Sequence, residues 1–216
     1  MTVLKGNLSV ELHGRGSVTI RPSNYIATGG EGSVYKLHDT IVKLYTNTDR
    51  MSREGTSEKL EALSRIRYEG IVSPGGVVRS GGKDIGYYMP FVEGEPLSRM
   101  FTNDFIVRSS ITETDVRAVV KDMRGIVQAA HRSHAVMVDA NELNWIVTLA
   151  KGRSPAPYVI DVDSWSIGRW KGSVIMPSIR DWHAKQFDEK SDWFAWGVVT
   201  FQLFTGIHPY KGILEG

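Results

Sequence analysis

Apolar and polar residues alternate along much of the first ninety positions. In NLSVEL (7–12) and SVTIRP (17–22) the character switches at nearly every step around HGRG, the pattern of a β-hairpin with one buried face. KLHDTIVKLY predicts another hairpin, turning at His38-Asp39, and GGVVRSGGKDIGYYMPFV a third, turning at SGGKD. Between them the period changes: in REGTSEKLEALSRI, Leu60, Leu63 and Ile66 recur at helical spacing with charges opposite. Beyond residue 92 the helical period dominates. ITETDVRAVVKDMRGIVQAAHRSH opens with Thr112 and Asp115 at capping-box spacing, and Val116, Val119, Val120, Met123, Ile126 and Val127 continue as an apolar stripe. LNWIVTLA and APYVIDVDSW are short apolar strands divided by the loop KGRSPAP. A variable stretch over 166–190 precedes an apolar helix over 191–205, which stops at Gly206 and Pro209. The pattern predicts an α+β chain with a β-rich part over 1–92 and a mainly helical part over 93–216.

Composition narrows the classes. A chain of 216 residues is long enough for two small lobes, each with its own core. With 41% hydrophobic and 23% charged residues it has the make-up of a soluble globular protein. Lys+Arg at 26 against Asp+Glu at 24 leaves +2, a balance that argues neither for a nucleic-acid partner nor for a basic patch. The absence of cysteine excludes disulfides, thiolate catalysis and Cys-based zinc sites. The N-terminus lacks the order of a signal peptide, and the apolar run at 193–204 is too short to span a bilayer. These features predict a cytoplasmic protein with no membrane partner.

Three stretches carry candidate chemistry. Gly29, Gly30 and Gly32 sit between two strand-like pieces, where backbone N–H groups without a Cβ can approach phosphate oxygens; a plain hairpin turn accounts for the same residues. A Rossmann fingerprint needs a helix after the glycines, and a Walker A motif needs Ser or Thr after Gly-Lys, whereas Gly82-Lys83 is followed by Asp84. Both are excluded. In VDANELNWIV, Asp139, Asn141 and Asn144 stand before an apolar run; turn chemistry explains each alone, and the spacing also suits a catalytic carboxylate and a metal ligand. His131 and His134 have ligand-like spacing but no third ligand nearby except Asp139, and a favourable interaction with the helix C-terminus accounts for them.

Taken in order, these stretches resemble the protein kinase superfamily, in its divergent bacterial and phage-type Ser/Thr branch, over residues 25–210. The resemblance implies a bilobal fold, a β-rich N-lobe (1–92) and a shortened helical C-lobe (93–216), with ATP and Mg²⁺ as cofactors. In IATGGEGSVYKL the family's glycine positions fall on Ala27, Gly29 and Gly32, with Gly30 and Val34 completing the nucleotide cover. Lys43 matches the phosphate-binding lysine and Glu58 its carboxylate partner, with Glu61 and Glu54 as rivals. YYMPFVEGEPL matches the lobe connection that bonds adenine: Met89 as gatekeeper, then Phe91 and Val92, with Pro90 unable to donate. Asp139 matches the residue that accepts or orients the substrate hydroxyl proton; Asn144 and Asp161 match the magnesium ligands, with Asp163 a second candidate. Asp192 matches the aspartate that bonds the catalytic-loop backbone.

The chain also departs from the pattern. Val138 replaces the usual arginine, Asn141 the usual lysine, and no Ala-Pro-Glu follows. It ends soon after the apolar helix, so either the C-lobe is minimal or the chain is a fragment. The implied activity is transfer of the γ-phosphoryl of Mg-ATP to a hydroxyl, with Ser/Thr of a protein as acceptor. The alternative is a pseudokinase that binds nucleotide or regulates a partner. Neither the protein substrate nor the oligomeric state is legible in the sequence.

Overall fold

The computed structural model describes residues 3–150, 152–172 and 174–211. The chain is α+β and divides into two compact units, Met1–Arg67 with Val72–Val92, and Tyr68–Ile71 with Glu93–Gly216.

The first unit contains β1 (Leu8–Leu12), β2 (Gly16–Ile20), β3 (Tyr25–Thr28), β4 (Gly32–Leu37), β5 (Thr40–Tyr45), α1 (Thr48–Arg53), α2 (Thr56–Ser64), β6 (Gly76–Ser80) and β7 (Lys83–Pro90). Its strands form one antiparallel sheet in the order β2-β1-β6-β7-β5-β4-β3. The alternation read along β1 becomes its geometry: Val10 and Leu12 face inward and join Ile20, Tyr35, Val42, Leu44 and Val78 in the core. β5, flanked by β4 and β7, is buried at every position, so it carries no alternation. The helix expected over 53–66 is interrupted. Gly55 takes a left-handed conformation (φ 64°) that ends α1 and starts α2, and Leu60 and Leu63 are buried from α2 while Ile66 follows its end. α1 itself is announced only by Asn47, whose side chain accepts from Arg50 N at 2.8 Å.

The second unit contains β8 (Glu95–Pro96), α3 (Asn103–Arg108), α4 (Glu113–Arg132), β9 (Ala135–Val136), β10 (Trp145–Thr148), β11 (Ala156–Val159), β12 (Ser166–Ile167) and α5 (Glu189–Thr205). β11-β10-β8 and β12-β9 form two small antiparallel sheets. The α4 capping box is closed: Asp115 N donates to Thr112 Oγ1 at 3.2 Å and Thr112 N to Asp115 Oδ2 at 2.9 Å. Its apolar stripe packs against β11 and α5, burying Val119, Met123, Ile126 and Val127. α5 starts two residues earlier than the hydrophobic pattern indicates because Asp188 caps it, accepting from Lys190 N and Ser191 N; Gly206 (φ 74°) closes it. Among the described residues no helix is long and apolar enough to cross a membrane.

Candidate functional site

The second unit gathers Asp139, Asn144 and Asp161 through a short series of hydrogen bonds. Asn144 Nδ2 donates to the Asp139 carbonyl at 2.7 Å, closing the loop between them. Ile160 N then donates to the Asn144 carbonyl at 2.9 Å, which brings the end of β11, and with it Asp161, beside Asn144. Because the amide nitrogen of Asn144 is committed to Asp139, its Oδ1 is the atom left to accept a cation or a donor. Asp139 Oδ1 accepts from Met176 N at 2.8 Å, and Asp139 N donates to Met137 O at 2.7 Å. Asn141 is 3% exposed, and its side chain accepts from Leu143 N at 2.9 Å, forming an Asx turn inside the loop.

A buried carboxylate holds this loop from behind. Asp192, fully buried in the first turn of α5, accepts from Met137 N at 2.7 Å and Val138 N at 2.9 Å. His131 Nε2, at the end of α4, lies 2.9 Å from the same carboxylate, so its place is set by this bond as well as by the helix terminus. Val138 has φ 63° and Asp161 φ 59°, both left-handed. For a β-branched residue such as Val138 that conformation costs on the order of 1–3 kcal/mol, a strain that Asp192 helps to hold in place immediately before Asp139. Asp163, 6% exposed, lies in the short 3₁₀ turn Val162–Ser164, whose Ser164 Oγ donates to the Asp161 carbonyl at 2.9 Å.

In the first unit, Lys43 occupies the buried strand β5 opposite Val34 on β4 and Tyr87 on β7. It is 6% exposed, and its Nζ lies 3.9 Å from Glu31 Oε2 and 5.9 Å from the ring centroids of Tyr45 and Tyr87. Glu31 belongs to the glycine turn between β3 and β4, which is tied down by Gly29 N donating to Gly32 O and Thr46 N donating to Glu31 O. The three glycines differ. A Cβ on Gly32 would stand 2.3 Å from Leu44 O, so strand packing demands that glycine. Cβ atoms on Gly29 and Gly30 would meet nothing within 4 Å, and neither residue has positive φ. Sheet geometry therefore gives no reason for glycine at 29 and 30, while close approach of a ligand would. Ala27 is exposed, and Val34 half-buried.

Glu58 is exposed on the first turn of α2 and, among the described residues, makes no ion pair. Glu31 does reach Lys43, at 3.9 Å; the sequence pattern left it unremarked although it sits three residues before Val34, the β4 position in register with Lys43. Met89 is buried at 7%, Phe91 and Val92 are half-buried, and Pro90 is exposed. Phe91 N is spent on Asp39 O at 2.7 Å, and the Phe91 ring carries Lys36 Nζ 3.5 Å from its centroid. With Pro90 lacking a donor, the Val92 N–H is the next one along the segment. The Met176 amide on Asp139 and the His131 contact with Asp192 join residues too distant in sequence for any local pattern to reveal. No family model matches the chain, and no curated protein matches it.

Proposed function

We propose that this chain is an ATP-dependent phosphotransferase with a bilobal, protein-kinase-like fold, passing the γ-phosphoryl of Mg-ATP to a hydroxyl, with Ser or Thr of a protein as acceptor. The observation that carries the reading is the loop in which Asn144 bonds Asp139 and receives Ile160, the neighbour of Asp161, held through Met137 and Val138 by the buried Asp192. Turn chemistry accounts for single Asn and Asp residues. It gives no reason for a strained Val138, a fully buried carboxylate and a committed Asn144 amide in one loop.

The oxygen donors fit a magnesium ion, which takes hard ligands from few side chains and completes its shell with phosphates and water. Asn144 Oδ1 and the Asp161 carboxylate would hold it, and the bound metal would neutralise charge on the transferring phosphoryl. Asp139, with one carboxylate oxygen fixed by Met176 N, orients the acceptor hydroxyl and receives its proton with the other. Gly29 and Gly30 offer backbone N–H groups to phosphate oxygens without steric cost. Lys43 supplies a compact cation from a buried position, exchanging Glu31 for phosphate. Met89, Phe91 and Val92 line the adenine side, with Val92 as hydrogen-bond donor.

One observation favours the second reading, a pseudokinase. Asn141 is buried and turned into its own loop, so that position brings no charge to a phosphate. Transfer of label from [γ-³²P]ATP to the protein and to a generic Ser/Thr substrate separates the two. A phosphotransferase loses transfer in Asp139→Ala while keeping Mg-ATP binding; a chain that binds Mg-ATP and transfers nothing is the regulatory module.

A further inference from the structure

The chain's surplus of positive charge is local. Residues 168–171 and 174–185 contain Arg169, Lys171, Arg180 and Lys185 against the single carboxylate of Asp181, a net of +3, whereas the whole chain carries +2. All the other residues therefore sum to −1, and the near-balanced total conceals a basic segment. Each arginine is stacked on an aromatic neighbour: Arg169 Cζ lies 4.8 Å from the Trp170 ring centroid and Arg180 Cζ 4.5 Å from that of Trp182. Trp182 is 66% exposed, and Arg169, Lys171, His183 and Lys185 are exposed. The Asp181 carboxylate is partly used within the chain, its Oδ1 accepting from His183 N at 2.9 Å. Arg180 is half-buried, and its Nε, itself buried, has no acceptor among the described residues.

The location adds the rest. Met176, between the two stacked pairs, donates its N–H to Asp139 Oδ1, so these cations flank the segment bonded to the candidate catalytic carboxylate. Arg180 lies four residues further along, within about 14 Å of Met176 even for extended backbone. Guanidinium groups stacked on indole keep their N–H edges for anions, and clustered cations attract an acidic partner before contact.

We propose that Arg169, Lys171, Arg180 and Lys185, with Trp170 and Trp182, form a docking surface for an acidic protein segment, the acceptor of phosphoryl transfer. Its catalytic use rests on the phosphotransferase reading; its binding does not. An acidic polypeptide is favoured over single-stranded nucleic acid because, of the two rings, only Trp182 stands exposed while Trp170 is half-buried, whereas successive bases need successive open rings to stack on.

The test is fluorescence anisotropy with a labelled peptide of alternating glutamate and serine, a lysine-serine counterpart and a single-stranded oligonucleotide. Wild type should bind the acidic peptide, with affinity falling as salt rises. Lys171→Glu/Lys185→Glu should weaken it about tenfold or more, and Lys171→Gln/Lys185→Gln by a smaller factor, each at an unchanged melting temperature. The same charge change at Lys121 and Lys190, exposed on α4 and α5, should leave binding within about twofold. Equal losses in that control would overturn the surface in favour of a general field. Binding of the oligonucleotide without the acidic peptide, or of neither, would also overturn it. Acidic-peptide binding without any label transfer would support the surface and remove only the catalytic reading.

Discussion

Lys43 has 6% of its surface in contact with solvent, and Glu31 reaches it from the glycine turn. A phosphate arriving at Lys43 has to compete with that carboxylate and face its repulsion. Glu31→Gln should therefore tighten Mg-ATP binding several-fold by isothermal titration, and the gain should vanish in a Lys43→Met background, as expected when two mutations act through one contact. Lys43→Ala in the parent chain should weaken binding. Asp161→Ala should abolish the magnesium dependence of nucleotide binding, whereas Asp139→Ala should leave binding and remove transfer. At this scale the sequence singled out Asp139, Asn144 and Lys43 by spacing and strand context, which are local. It was silent on Glu31 because a single glutamate between glycines reads as a solvated turn charge.

Among the elements, α5 and α2 each fix something beyond themselves. Asp192→Ala would leave two buried N–H groups and His131 without their acceptor, a loss of about 3 kcal/mol or more at ~1–3 kcal/mol per group. For a chain of this size that lowers the melting temperature by roughly 6–12 °C. The start of α2 is tied to the β6–β7 hairpin: Ser57 Oγ donates to Asp84 Oδ2 and Arg79 Nε to Asp84 Oδ1, both at 2.6 Å. Burial alone raises the Asp84 pKa, but the Ser57 hydroxyl, the Arg79 hydrogen bond and charge, and His13 together hold it below 3.8. The unfolded chain thus binds this proton more readily than the native one. The contact stabilises above the usual carboxylate range and is lost as pH falls through the lowered native value. Ser57→Ala should lower the melting temperature at neutral pH by the equivalent of about 1 kcal/mol, and the difference from wild type should fade as acidification passes the lowered native value of Asp84. The glycine turn separates fold from function within one element. Gly32→Ala should destabilise through its clash with Leu44 O, while Gly29→Ala and Gly30→Ala should melt at or slightly above wild type yet bind Mg-ATP less tightly.

For the molecule as a whole, a ligand that binds only the native state must raise its melting temperature. Mg²⁺ and ATP together, at about a hundred times the dissociation constant, should contribute roughly 2.7 kcal/mol, or about 5–11 °C; either component alone should do far less. No shift with both present would remove the nucleotide-binding reading. The α+β composition and most elements were legible from end to end because hairpin alternation and the α4 stripe are strong periodic signals. Short pieces were not. β8, β9, β12 and α3 span two to six residues, too few for a period to register; α1 lies almost wholly ahead of the helix read over 53–66, which the left-handed Gly55 confines to α2.

The sequence by itself determined what local physics controls: the alternating strands of the seven-stranded sheet, the Thr112–Asp115 cap, the closure of α5 at Gly206, and a five-residue interval from Asp139 to Asn144. Tertiary structure alone decided which distant groups meet: Asp192 under Val138, His131 on Asp192, Met176 on Asp139 and Asn144 beside the end of β11. It also decided how the cations of 168–185 are held, with Arg169 over the ring of Trp170 and Arg180 over that of Trp182. The reason is the same in each case. Periodicity and capping follow from hydrogen bonds a few residues long, whereas burial and long-range partnership exist only once the chain has closed on itself.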